Sequence, residues 1–547
     1  MSKIIVTAAL PYSYSIPHLG NFVGSVLPAD VYHKYLVMGG EDAIFICGSD
    51  QHGTPIEIRA MERHQKPEDF ANEMHLKIKS VFERYDCTFT YYGKTHTDQN
   101  KEVVYEIFDA LQKNGYIVET HSTQAYCNID KRFLIDRFIE GTCPFCKSDH
   151  ARGDQCDNCG RLLTPSEIIN PKCKICSKSD ISFKGTKNLA IKLDSLEPKI
   201  SEFIELNSRN NWPKAAKNKS QSYIKEGLKP RDITRNMDWG FKVPLEKFHD
   251  SVFYVWFDAV IGYIGITKEW DGRKWKSYWT HKDTKLVQFM GKDNIEFHTL
   301  MWPGILIGAN LGFVLPTTIK SAEYLTSNSE KFSKSRGIGL DLEKCLGILP
   351  SDYWRFALMY VYPETSDSEF SIDLLREIVN NIMNDKVGNL IQRVLKLSIA
   401  NKGLIKKIRI QNEYREAHDK IVAKYKDDFS NFRLREALHS LVELATLGNT
   451  IISERKPWES TKKASSDGEV ANELSDIFGT LLAISYEIGI MIWPFCPNAS
   501  ENILKHFNVS DTPSLKMLSM EVSVNLEDEP KQLFTKMTDS QIAGLQK

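Results

Sequence analysis

Short apolar runs alternate with amphipathic stretches in the first part of the chain. The runs at residues 4–8 and 43–47 have the length and composition of buried strands, and each leads into polar loop residues. Between them, residues 21–38 have the spacing of a helix, and helical periodicity returns at residues 71–85 and 101–114. Strand, helix and strand in this order predict a parallel α/β sheet.

This alternation stops in the middle of the chain. Residues 116–194 are rich in loops and cysteines, and the sheet pattern resumes with predicted strands at residues 251–257 and 285–290. The simplest interpretation is one α/β domain that is split by a small inserted domain. From Ile372 onward, apolar residues recur at three- and four-residue spacing, which predicts an α-helical bundle reaching nearly to the C-terminus.

Composition narrows the class of protein without indicating its function. A chain of 547 residues predicts three or four domains. No apolar run approaches the ~20 residues that cross a bilayer, and the N-terminus has the pattern of a buried strand rather than a signal peptide. We therefore expect a cytoplasmic protein with no membrane association. The net charge of −1 argues neither for nor against a nucleic-acid partner.

Cysteines cluster in the inserted region. Six of the eleven lie in three C-x2-C pairs, and in a reducing compartment such pairs indicate metal binding before disulfides. Cys143, Cys146, Cys156 and Cys159 form two pairs close together, with the spacing of zinc knuckles. Four thiolates predict a closed, tetrahedral and structural Zn²⁺ site.

A second metal site is one of two interpretations of the remaining pair. Cys173-x2-Cys176 needs another pair of ligands, and Cys127-x2-Asp130 has the right spacing, with an aspartate in place of a cysteine. Three sulfurs and a carboxylate can bind zinc, although less readily than four sulfurs. The alternative is that Cys127 is simply buried and that the last pair is free of metal.

The segment PHLGN, residues 17–21, follows the first predicted strand and begins the first predicted helix. Helix N-terminal amides at that point of an α/β sheet favour phosphate. His18 can donate to phosphate oxygens, and Gly20 allows a nucleotide to approach closely. Taken alone, the same residues are equally well interpreted as an ordinary loop histidine beside a glycine.

The segment KFSKS, residues 331–335, lies far downstream. Lys331 and Lys334 flank a serine in a glycine-punctuated loop that can close over a triphosphate. Phosphoryl transfer needs positioning and charge stabilisation more than a protein base, so lysines suit that task. Taken alone, a solvated basic loop is the more common interpretation of such a segment.

Together, HLGN and KFSKS resemble the HIGH and KMSKS signatures of class I aminoacyl-tRNA synthetases, in the same order along the chain. Asn21 stands where those enzymes have a second histidine, so phosphate contact there would come from an amide. Phe332 stands where they have a methionine, which leaves both lysines in place. Neither departure removes a charge that the chemistry requires.

Within class I, the resemblance narrows to the methionyl-tRNA synthetases and covers nearly the whole chain. Six blocks look like that family's blocks in that family's order: TAALPYSYSIPHLGN, ICGSDQHGTPIE, DRFIEGTCPFC, YVWFDAVIGY, GKDNIEFHTLMWP and ERKPWE. The resemblance implies an ATP-dependent ligase. Such an enzyme activates methionine to methionyl-adenylate, releases pyrophosphate, and transfers methionine to the 3′-terminal adenosine of its tRNA.

The resemblance also implies the domain organisation. We expect a Rossmann-type parallel-sheet catalytic domain, split by a zinc-binding insert and followed by an α-helical bundle that binds the anticodon. The expected boundaries are 1–115 and 231–320 for the two halves of the catalytic domain, 116–230 for the insert, 321–375 for a stem-contact region with the KFSKS loop, and 376–547 for the anticodon-binding domain.

The methionine pocket is expected to be aromatic, because sulfur–aromatic contacts add to apolar burial of a thioether. Asp50 follows the second strand and is the natural partner for the substrate ammonium. His298 and Trp302 would share a helix face at i, i+4 spacing, although any one aromatic is as readily a core residue. Val260 and Asn294 depart from the family's residues. The expected methionine site comprises Leu10, Tyr12, Asp50, Trp256, Ala259, Tyr263, Phe297, His298 and Trp302.

The nucleotide site follows from the same resemblance. Lys292 and Asp293 would lie at the rim of the sheet, where a carboxylate can hold ribose hydroxyls. Arg235 resembles the family arginine near the substrates, with a surface arginine as the equal alternative. The expected catalytic residues are His18, Asn21, Lys331 and Lys334. The expected ligands of Mg-ATP are His18, Gly20, Asn21, Lys292, Asp293, Lys331, Ser333 and Lys334.

In the helical part, Asn389 and Arg393 are four residues apart and Trp458 follows a proline, so base-edge donors and a stacking plane are available for RNA. These three match the family's anticodon-reading positions. The C-terminus falls where the bundle normally ends, so we expect a monomer, with a possible separate protein supplying further tRNA binding.

Two rival functions make different predictions. A class I enzyme for cysteine would use an active-site metal rather than closed thiolate sites, and one for leucine would carry a larger, hydrolytic insert. A tRNA-binding or zinc-ribbon scaffold without catalysis would be expected to lose the lysines of KFSKS or Asp50. All of these residues are present.

Overall fold

A computed structural model describes residues 3–135, 138–153, 156, 158–159, 161, 163–327, 330–331, 339–464, 467–519 and 522–546 of the chain. Its strands, in chain order from β1 to β17, are Ile4–Ala8, Ala43–Ser49, Tyr91–Lys94, Ile117–Cys127, Arg132–Leu134, Ile139–Thr142, Ala151–Arg152, Ile169–Cys173, Ile181–Ile191, Arg231–Asp232, Thr234–Arg235, Val252–Phe253, Lys285–Gly291, Pro316–Ala322, Leu325–Ser327, Glu330–Lys331 and Ser368–Glu369.

A parallel sheet with the strand order β14-β13-β1-β2-β3 is the centre of the first domain. β1 is its middle strand and is buried along its whole length, which is why its sequence is continuously apolar. Ile4 pairs with Ala43 on one side and with Lys285 on the other. The predicted α/β class and the discontinuous catalytic domain are confirmed.

Helices cover both faces of this sheet. Successive residues of β1 point to opposite faces, so Val6 belongs to one apolar core and Ile5 to the other. The helices of this half, in chain order from α1 to α10, are Leu19–Asn21, Leu27–Gly39, Thr54–Glu62, Pro67–Arg84, Asp98–Lys113, Leu193–Asn207, Lys214–Glu226, Val255–Trp270, Trp275–Trp279 and Trp302–Ala309.

Two wide π-helical turns interrupt these helices. Phe22–Val26 joins α1 to α2, and Phe297–Met301 leads into α10. The predicted helix at residues 21–38 therefore exists, but its first part is wound with five rather than four residues between hydrogen-bonded groups. Such turns frequently mark functional sites, because they shift the side chains around the helix axis.

The predicted strand at residues 251–257 is wrong for most of its length. Only Val252–Phe253 is extended, and it pairs with β11 outside the main sheet. From Val255 onward the chain is the helix α8, which is buried on nearly every side between α5 and the sheet. An apolar run without polar interruptions has no periodicity that would separate a buried strand from a buried helix.

The inserted region is built on a long antiparallel ladder. β4 and β9 pair over their full length, from Ile117 with Ile191 to Cys127 with Ile181. A small sheet of β6, β7 and β8 lies beyond the end of this ladder and carries cysteine clusters. After β9, the helix α6 returns to pack against α10 of the first domain.

The rest of the chain is helical, as predicted. The longest helix, Gly468–Met491, has the length and apolar composition of a membrane span, but its most apolar stretch is 94% buried inside the bundle, as expected for a core helix. A third π-helical turn, Ile378–Gly388, precedes Asn389. The helices of this part, α11 to α20, are Leu342–Leu346, Ser351–Tyr360, Ile372–Glu377, Asn389–Ala400, Asn412–Ser430, Leu434–Arg455, Pro457–Ala464, Gly468–Met491, Pro497–Leu504 and Asp539–Gln546.

A buried ionic network joins the two halves of the protein. Arg355 of α12 donates to the Asp30 carboxylate of α2 at 2.7 Å, and Lys34 donates to the same carboxylate at 2.6 Å. Burial alone would raise the pKa of Asp30, but the two cations hold it below its usual value. The Arg355 guanidinium also donates to the backbone carbonyls of Tyr85, Pro494 and Phe495.

Candidate active site

A deep cavity opens at the carboxyl edge of the parallel sheet. Strands β1, β2 and β13 end there because parallel strands point the same way. The cavity has a volume of about 680 Å³, the size of a small-ligand or cofactor site. The predicted site residues that line it are Leu10, Tyr12, His18, Gly20, Asn21, Asp50, Trp256, Ala259, Tyr263, Asp293, Phe297 and His298.

His18 and Asn21 fix one another at the N-terminus of α1. The Asn21 amide N–H donates to His18 Nδ1 at 3.1 Å, and the His18 amide N–H donates to Asn21 Oδ1 at 3.3 Å. This reciprocal cap settles the ring orientation of His18, with Nδ1 as an acceptor. The helix N-terminus, Gly20 and the wide turn of Phe22–Val26 form the cavity wall next to it.

Asp50 is almost completely buried at the end of β2 and faces the cavity. Burial, followed by the nearby Asp258 carboxylate, raises the pKa of Asp50 well above its usual value. The His52 amide N–H donates to Asp50 Oδ1 at 3.2 Å and Thr95 also donates, which opposes that rise. A cation placed beside this carboxylate would favour its ionised form.

Aromatic rings form the neighbouring wall of the cavity. The Trp256 and Phe297 rings stack with centroids 3.7 Å apart and planes 5° from parallel. Tyr12 meets Trp256 edge to face at 6.2 Å. These rings come from three separate elements, so the structure brings together aromatic residues that the sequence places far apart.

His298 forms a neutral polar group at the back of the aromatic wall. Its Nδ1 lies 2.9 Å from the Asn294 carbonyl, and its Nε2 lies 2.8 Å from the Tyr263 hydroxyl. Burial lowers the pKa of His298 to about 4, so the ring is neutral at physiological pH. A neutral ring donates through Nδ1 to the carbonyl and accepts from the Tyr263 hydroxyl through Nε2.

Trp302 differs from the other predicted pocket residues. It is fully buried behind Tyr263, with ring centroids 6.4 Å apart, and does not line the cavity. Its i, i+4 relation to His298 crosses the end of a π-helical turn, where the α-helical spacing does not apply. Val260 and Asn294, the two departures from the family, both line the cavity.

Lys292 is paired with two carboxylates, and one of them, Glu323, lines the cavity. Its Nζ donates to Glu323 at 2.8 Å and to Asp367 at 2.6 Å, and it lies 4.0 Å from the centroid of the Tyr324 ring. Lys292 is not among the residues that line the cavity, whereas its neighbour Asp293 is. Of this predicted pair, the structure places only the aspartate where a ligand would lie.

Arg235 lies in the small sheet of β11 and β12. Its guanidinium is 3.3 Å from the Asp232 carboxylate and 4.1 Å from the centroid of the Tyr254 ring. Tyr254 itself lines the cavity, so Arg235 stands behind the first layer of site residues.

The structure describes only part of the predicted phosphate-binding loop. Ser333 and Lys334 lie outside the described residues, as does the side chain of Lys331. The backbone of Lys331 belongs to β16, which pairs with β15, and Leu325 of β15 lines the cavity. The segment that enters the loop therefore starts at the cavity rim.

The segment that leaves the loop also returns to the cavity. The Leu19 amide N–H donates to the Leu340 carbonyl at 3.1 Å, and the Leu342 amide N–H donates to the Pro17 carbonyl at 3.1 Å. The HLGN segment and the residues that follow the KFSKS loop are thus joined by backbone hydrogen bonds, although they lie far apart in sequence.

Several residues that line the cavity belong to no motif recognised in the sequence. Glu323, Tyr324 and Leu325 line the cavity at the end of β14, and Gly24 and Ser25 do so from the π-helical turn. The first group follows the end of β14 at the sheet edge, where ligands collect, but the sequence of β14, PTTIKSA, is largely polar and does not predict a buried strand. The second depends on a wide helix turn, for which the sequence carries no periodic signal.

The first cysteine cluster has the dimensions of a zinc site. Cys146 and Cys156 have Sγ atoms 3.6 Å apart, and those of Cys143 and Cys159 are 4.0 Å apart. A tetrahedral site with Zn–S bonds of about 2.3 Å separates its sulfurs by roughly 3.8 Å. The four thiols fit that ion.

The second cluster is also assembled. Asp130 Oδ2 lies 3.0 Å from Cys173 Sγ and 3.3 Å from Cys127 Sγ, and the Sγ atoms of Cys127 and Cys176 are 3.6 Å apart. All four ligand atoms lie within 4.8 Å of one another. Cys127 is therefore buried and also belongs to a group of four side chains that could hold a metal ion.

In the helical region, Arg393 and Trp458 come together although they are far apart in sequence. The Arg393 guanidinium lies 4.8 Å from the centroid of the Trp458 ring, and 39% of Trp458 is exposed. Asn389 is exposed on the same helix as Arg393 and donates to Asp385 at 3.3 Å. The three predicted residues leave a ring and polar groups open to solvent.

Two family models match this chain. The model described as "tRNA synthetases class I (M)" matches residues 4–395, and the one described as "Anticodon binding domain of methionyl tRNA ligase" matches residues 409–547. Together they cover nearly all of the described fold, from β1 to the last helix.

Curated relatives agree over most of their length. The chain is 43% identical to a methionine–tRNA ligase of Pyrobaculum islandicum, over 86% of this chain and 84% of the relative. It is 39% identical to a probable cytoplasmic methionine–tRNA ligase of Dictyostelium discoideum, over 93% and 70%. Among solved structures, methionyl-tRNA synthetase of Mycobacterium tuberculosis bound by methionyl-adenylate matches with a TM-score of 0.80 and 19% identity, over 98% of this chain and 100% of that one.

Proposed function

The chain belongs to the class I methionyl-tRNA synthetases, and from that membership we propose how its residues divide the work of the reaction. The enzyme activates L-methionine with ATP, forming methionyl-adenylate and pyrophosphate, and then transfers methionine to the 3′-terminal adenosine of its tRNA. The observation that carries the assignment of the site is a buried carboxylate, Asp50, beside an aromatic wall at the carboxyl edge of the sheet.

Methionine binds with its ammonium against Asp50 and its thioether against the rings. The stacked pair of Trp256 and Phe297, with Tyr12 at its edge, supplies a soft, polarisable surface for sulfur. Tyr263 and His298 close the pocket with a hydroxyl and a neutral imidazole. Leu10 and Ala259 complete the apolar lining. The substrate carboxylate then extends toward α1.

ATP occupies the adjoining part of the cavity. Asp293 faces the cavity at the end of β13, where it accepts hydrogen bonds from ribose hydroxyls. Gly20 and the N-terminus of α1 lie against the phosphates, because helix N-terminal amides favour anions. We assign Lys292 to the support of the cavity wall, since two carboxylates already neutralise it.

The chemical step needs charge stabilisation rather than a protein base. A methionine carboxylate oxygen attacks the α-phosphorus of ATP, forming the P–O bond of methionyl-adenylate as the bond to pyrophosphate breaks. The carboxylate is already ionised, so no proton has to leave. His18 and Asn21 stabilise the developing charge, together with Lys331, Ser333 and Lys334 of the loop that begins and ends at the cavity rim. Mg²⁺ bound with ATP neutralises phosphate charge.

Both cysteine clusters hold structural zinc in this proposal. The spacing of their ligand atoms fits a tetrahedral ion, and both sites lie in the insert, away from the cavity. Closed sites of this kind stabilise the fold around them and take no part in the chemistry.

Purified protein is expected to contain two zinc ions per chain when the metal is measured by plasma mass spectrometry. Asp130→Ala should retain one ion, because three thiolates without the carboxylate hold zinc less tightly. The matched control Asp149→Ala, an exposed aspartate of the insert outside both clusters, should retain two. A wild-type content of one ion would mean that the second cluster is free of metal, and two ions in Asp130→Ala would mean that Asp130 is not a ligand.

The helical region reads the anticodon in this proposal. The exposed Trp458 ring provides a stacking plane, the Arg393 guanidinium supports it, and Asn389 offers an amide to base edges. These three residues belong to the helical region and do not line the cavity. Changing them should therefore alter tRNA binding without altering methionine activation.

Trp458→Ala is expected to raise KM for tRNA about ten- to a hundredfold, because stacking of a base on an aromatic ring contributes ~1–3 kcal/mol. Aminoacylation at varied tRNA concentration gives this value, and ATP–pyrophosphate exchange without tRNA should be unchanged. Leu76→Ala, which removes an exposed apolar side chain from α4, should alter neither measurement. An unchanged KM for tRNA in Trp458→Ala would contradict the proposed contact.

We also propose that the enzyme works as a cytoplasmic monomer. In the part of the chain that the structure describes, the exposed large apolar side chains lie on separate elements, such as Leu76 on α4 and Leu206 on α6, which favours a surface without a large interface. A separate protein that adds tRNA binding is compatible with this arrangement.

The proposed specificity is tested by ATP–pyrophosphate exchange with the purified enzyme and each of the twenty amino acids. Exchange should depend on methionine and remain near background with the other nineteen. Exchange driven by a different amino acid would overturn the assignment of the aromatic wall to the thioether.

A further inference from the structure

A chain of buried polar side chains extends from Asp50 away from the cavity. His52 Nδ1 is hydrogen-bonded to the Asp258 carboxylate, and His52 Nε2 lies 2.7 Å from His96 Nδ1. His52 and Asp258 are 1% and 0% exposed, respectively. A buried carboxylate is strongly unfavourable unless it is hydrogen-bonded, and His52 provides that hydrogen bond to Asp258.

The hydrogen bonds in this chain have a consistent direction. Burial lowers the pKa of His96 to about 4, so its ring is neutral and can donate from Nδ1 to His52 Nε2. His52 then donates from Nδ1 to Asp258. With donors in this order, each ring is hydrogen-bonded to the next group, and the chain ends on the Asp258 carboxylate.

The turn that carries His52 is fixed from a second side. Trp239 Nε1 donates to the Gln51 carbonyl at 2.6 Å, and the Trp239 and Phe241 rings meet the His52 imidazole edge to face at 5.5 and 4.8 Å. The His52 amide in turn donates to Asp50. A shift of the imidazole would therefore move the backbone that orients the Asp50 carboxylate.

Asp258 belongs to α8, the helix that carries part of the pocket wall, as His52 belongs to the turn that carries Asp50. Asp258 lies on α8 between Trp256 of the aromatic wall and Ala259 of the apolar lining, five residues before Tyr263. The Asp258 side chain points away from the cavity, toward His52. The hydrogen bond between Asp258 and His52 therefore links the helix that carries the wall to the turn that carries Asp50.

We propose that His52 and Asp258 form a positioning pair, which holds the ammonium site and the thioether wall at the separation that methionine requires. The proposal rests on the assignment of Asp50 to the substrate ammonium. It gives a role in substrate binding to two residues that do not touch the substrate. Neither residue takes part in the chemical step.

The pair is expected to act on substrate affinity and not on turnover. Asp258→Asn replaces a charge-assisted hydrogen bond by a neutral one of the same shape, and His52→Gln shortens the donor and removes the contact to His96. Each variant should raise KM for methionine about tenfold, because the charge-assisted hydrogen bond that links the two sides of the pocket is lost. Because binding alone is weakened, kcat and KM for ATP should stay within about twofold of wild type.

A double-mutant cycle separates this role from a general structural one. If the pair acts as a unit, His52→Gln with Asp258→Asn should raise KM for methionine about as much as either single change, rather than multiplying the two effects. Multiplied effects would overturn the proposal, as would a fall in kcat at unchanged KM, which is the sign of enzyme that is partly unfolded. If Asp258→Asn gives too little folded enzyme by circular dichroism, His52→Gln decides alone: KM raised at constant kcat supports the pair, and unchanged KM contradicts it.

The variant Asp50→Asn distinguishes an error in the role of the positioning pair from an error in the assignment of Asp50 to the substrate ammonium. If Asp50→Asn leaves KM for methionine unchanged, the ammonium assignment is wrong and the pair has no site to position. If Asp50→Asn impairs methionine use while both Asp258→Asn and His52→Gln match wild type, the assignment stands and the positioning pair is rejected.

Discussion

Replacing Asp50 with asparagine is expected to lower kcat/KM for methionine in ATP–pyrophosphate exchange by about 10²–10⁴-fold. Asparagine has the same shape, so the cavity keeps its geometry and loses only the negative charge. Removing one partner of a buried ion pair costs ~3–5 kcal/mol, and each 1.36 kcal/mol corresponds to a factor of about ten. Asp50 is 3% exposed, so little water is present to replace the carboxylate around the substrate ammonium.

The same substitution elsewhere supplies the control. Asp109→Asn changes an exposed aspartate of α5 and should leave methionine and ATP kinetics unaltered. If Asp50→Asn showed less than about a threefold change in kcat/KM, the ammonium would have to be bound by another group, because even a surface ion pair contributes up to ~1 kcal/mol.

Arg355→Met is expected to destabilise the protein by about 3–5 kcal/mol, as measured by urea unfolding followed by tryptophan fluorescence. Methionine matches the length of the side chain but provides no donors. The Asp30 carboxylate then has Lys34 as its remaining cation, and three backbone carbonyls lose a donor within the interior. Since Arg355 contacts both the catalytic half and the residues that follow the longest helix, both parts should lose stability together.

Arg209→Met provides the matched comparison. Arg209 is 70% exposed and pairs with Glu205 on the surface of α6, so its loss should change the unfolding free energy by less than about 0.5 kcal/mol. If Arg355→Met and wild type were equally stable, the buried network would contribute to the uniqueness of the folded conformation and not to its stability. Loss of stability in only one half would mean that the two halves unfold independently.

The α/β sheet was predictable because its strands are buried on both faces. β1 and β2 are continuous apolar runs that end in polar loops, and such a pattern has few other interpretations. The run at residues 251–257 is just as apolar, but it turns into α8 after two extended residues. A segment that is buried on every side has no polar positions to mark its period, so its sequence cannot separate the two structures.

The site was predictable where its residues follow strand ends and not where it depends on helix winding. Asp50 and Asp293 lie where parallel strands stop, a position that general rules assign to ligands. Trp302 was placed in the pocket by α-helical spacing from His298, but the turn between them is π-helical, and Trp302 lies behind the wall. Lys292 follows the end of the same strand as Asp293, but its ion pairs with Glu323 and Asp367, which are distant in sequence, could not be predicted from that position.

The strand order of the central sheet also constrains how the protein is made. β1 lies between β2 and β13, and Ile4 pairs with Lys285, which a ribosome adds roughly 280 residues later, after about 15–60 seconds at ordinary rates of synthesis. Until then, one backbone edge of the central strand has no native partner, while the insert has already been translated and can fold. During that interval the nascent chain exposes an open, apolar sheet edge of the kind that chaperones bind and that aggregates recruit. Translation of the insert therefore lengthens the period in which this enzyme is most vulnerable to misfolding.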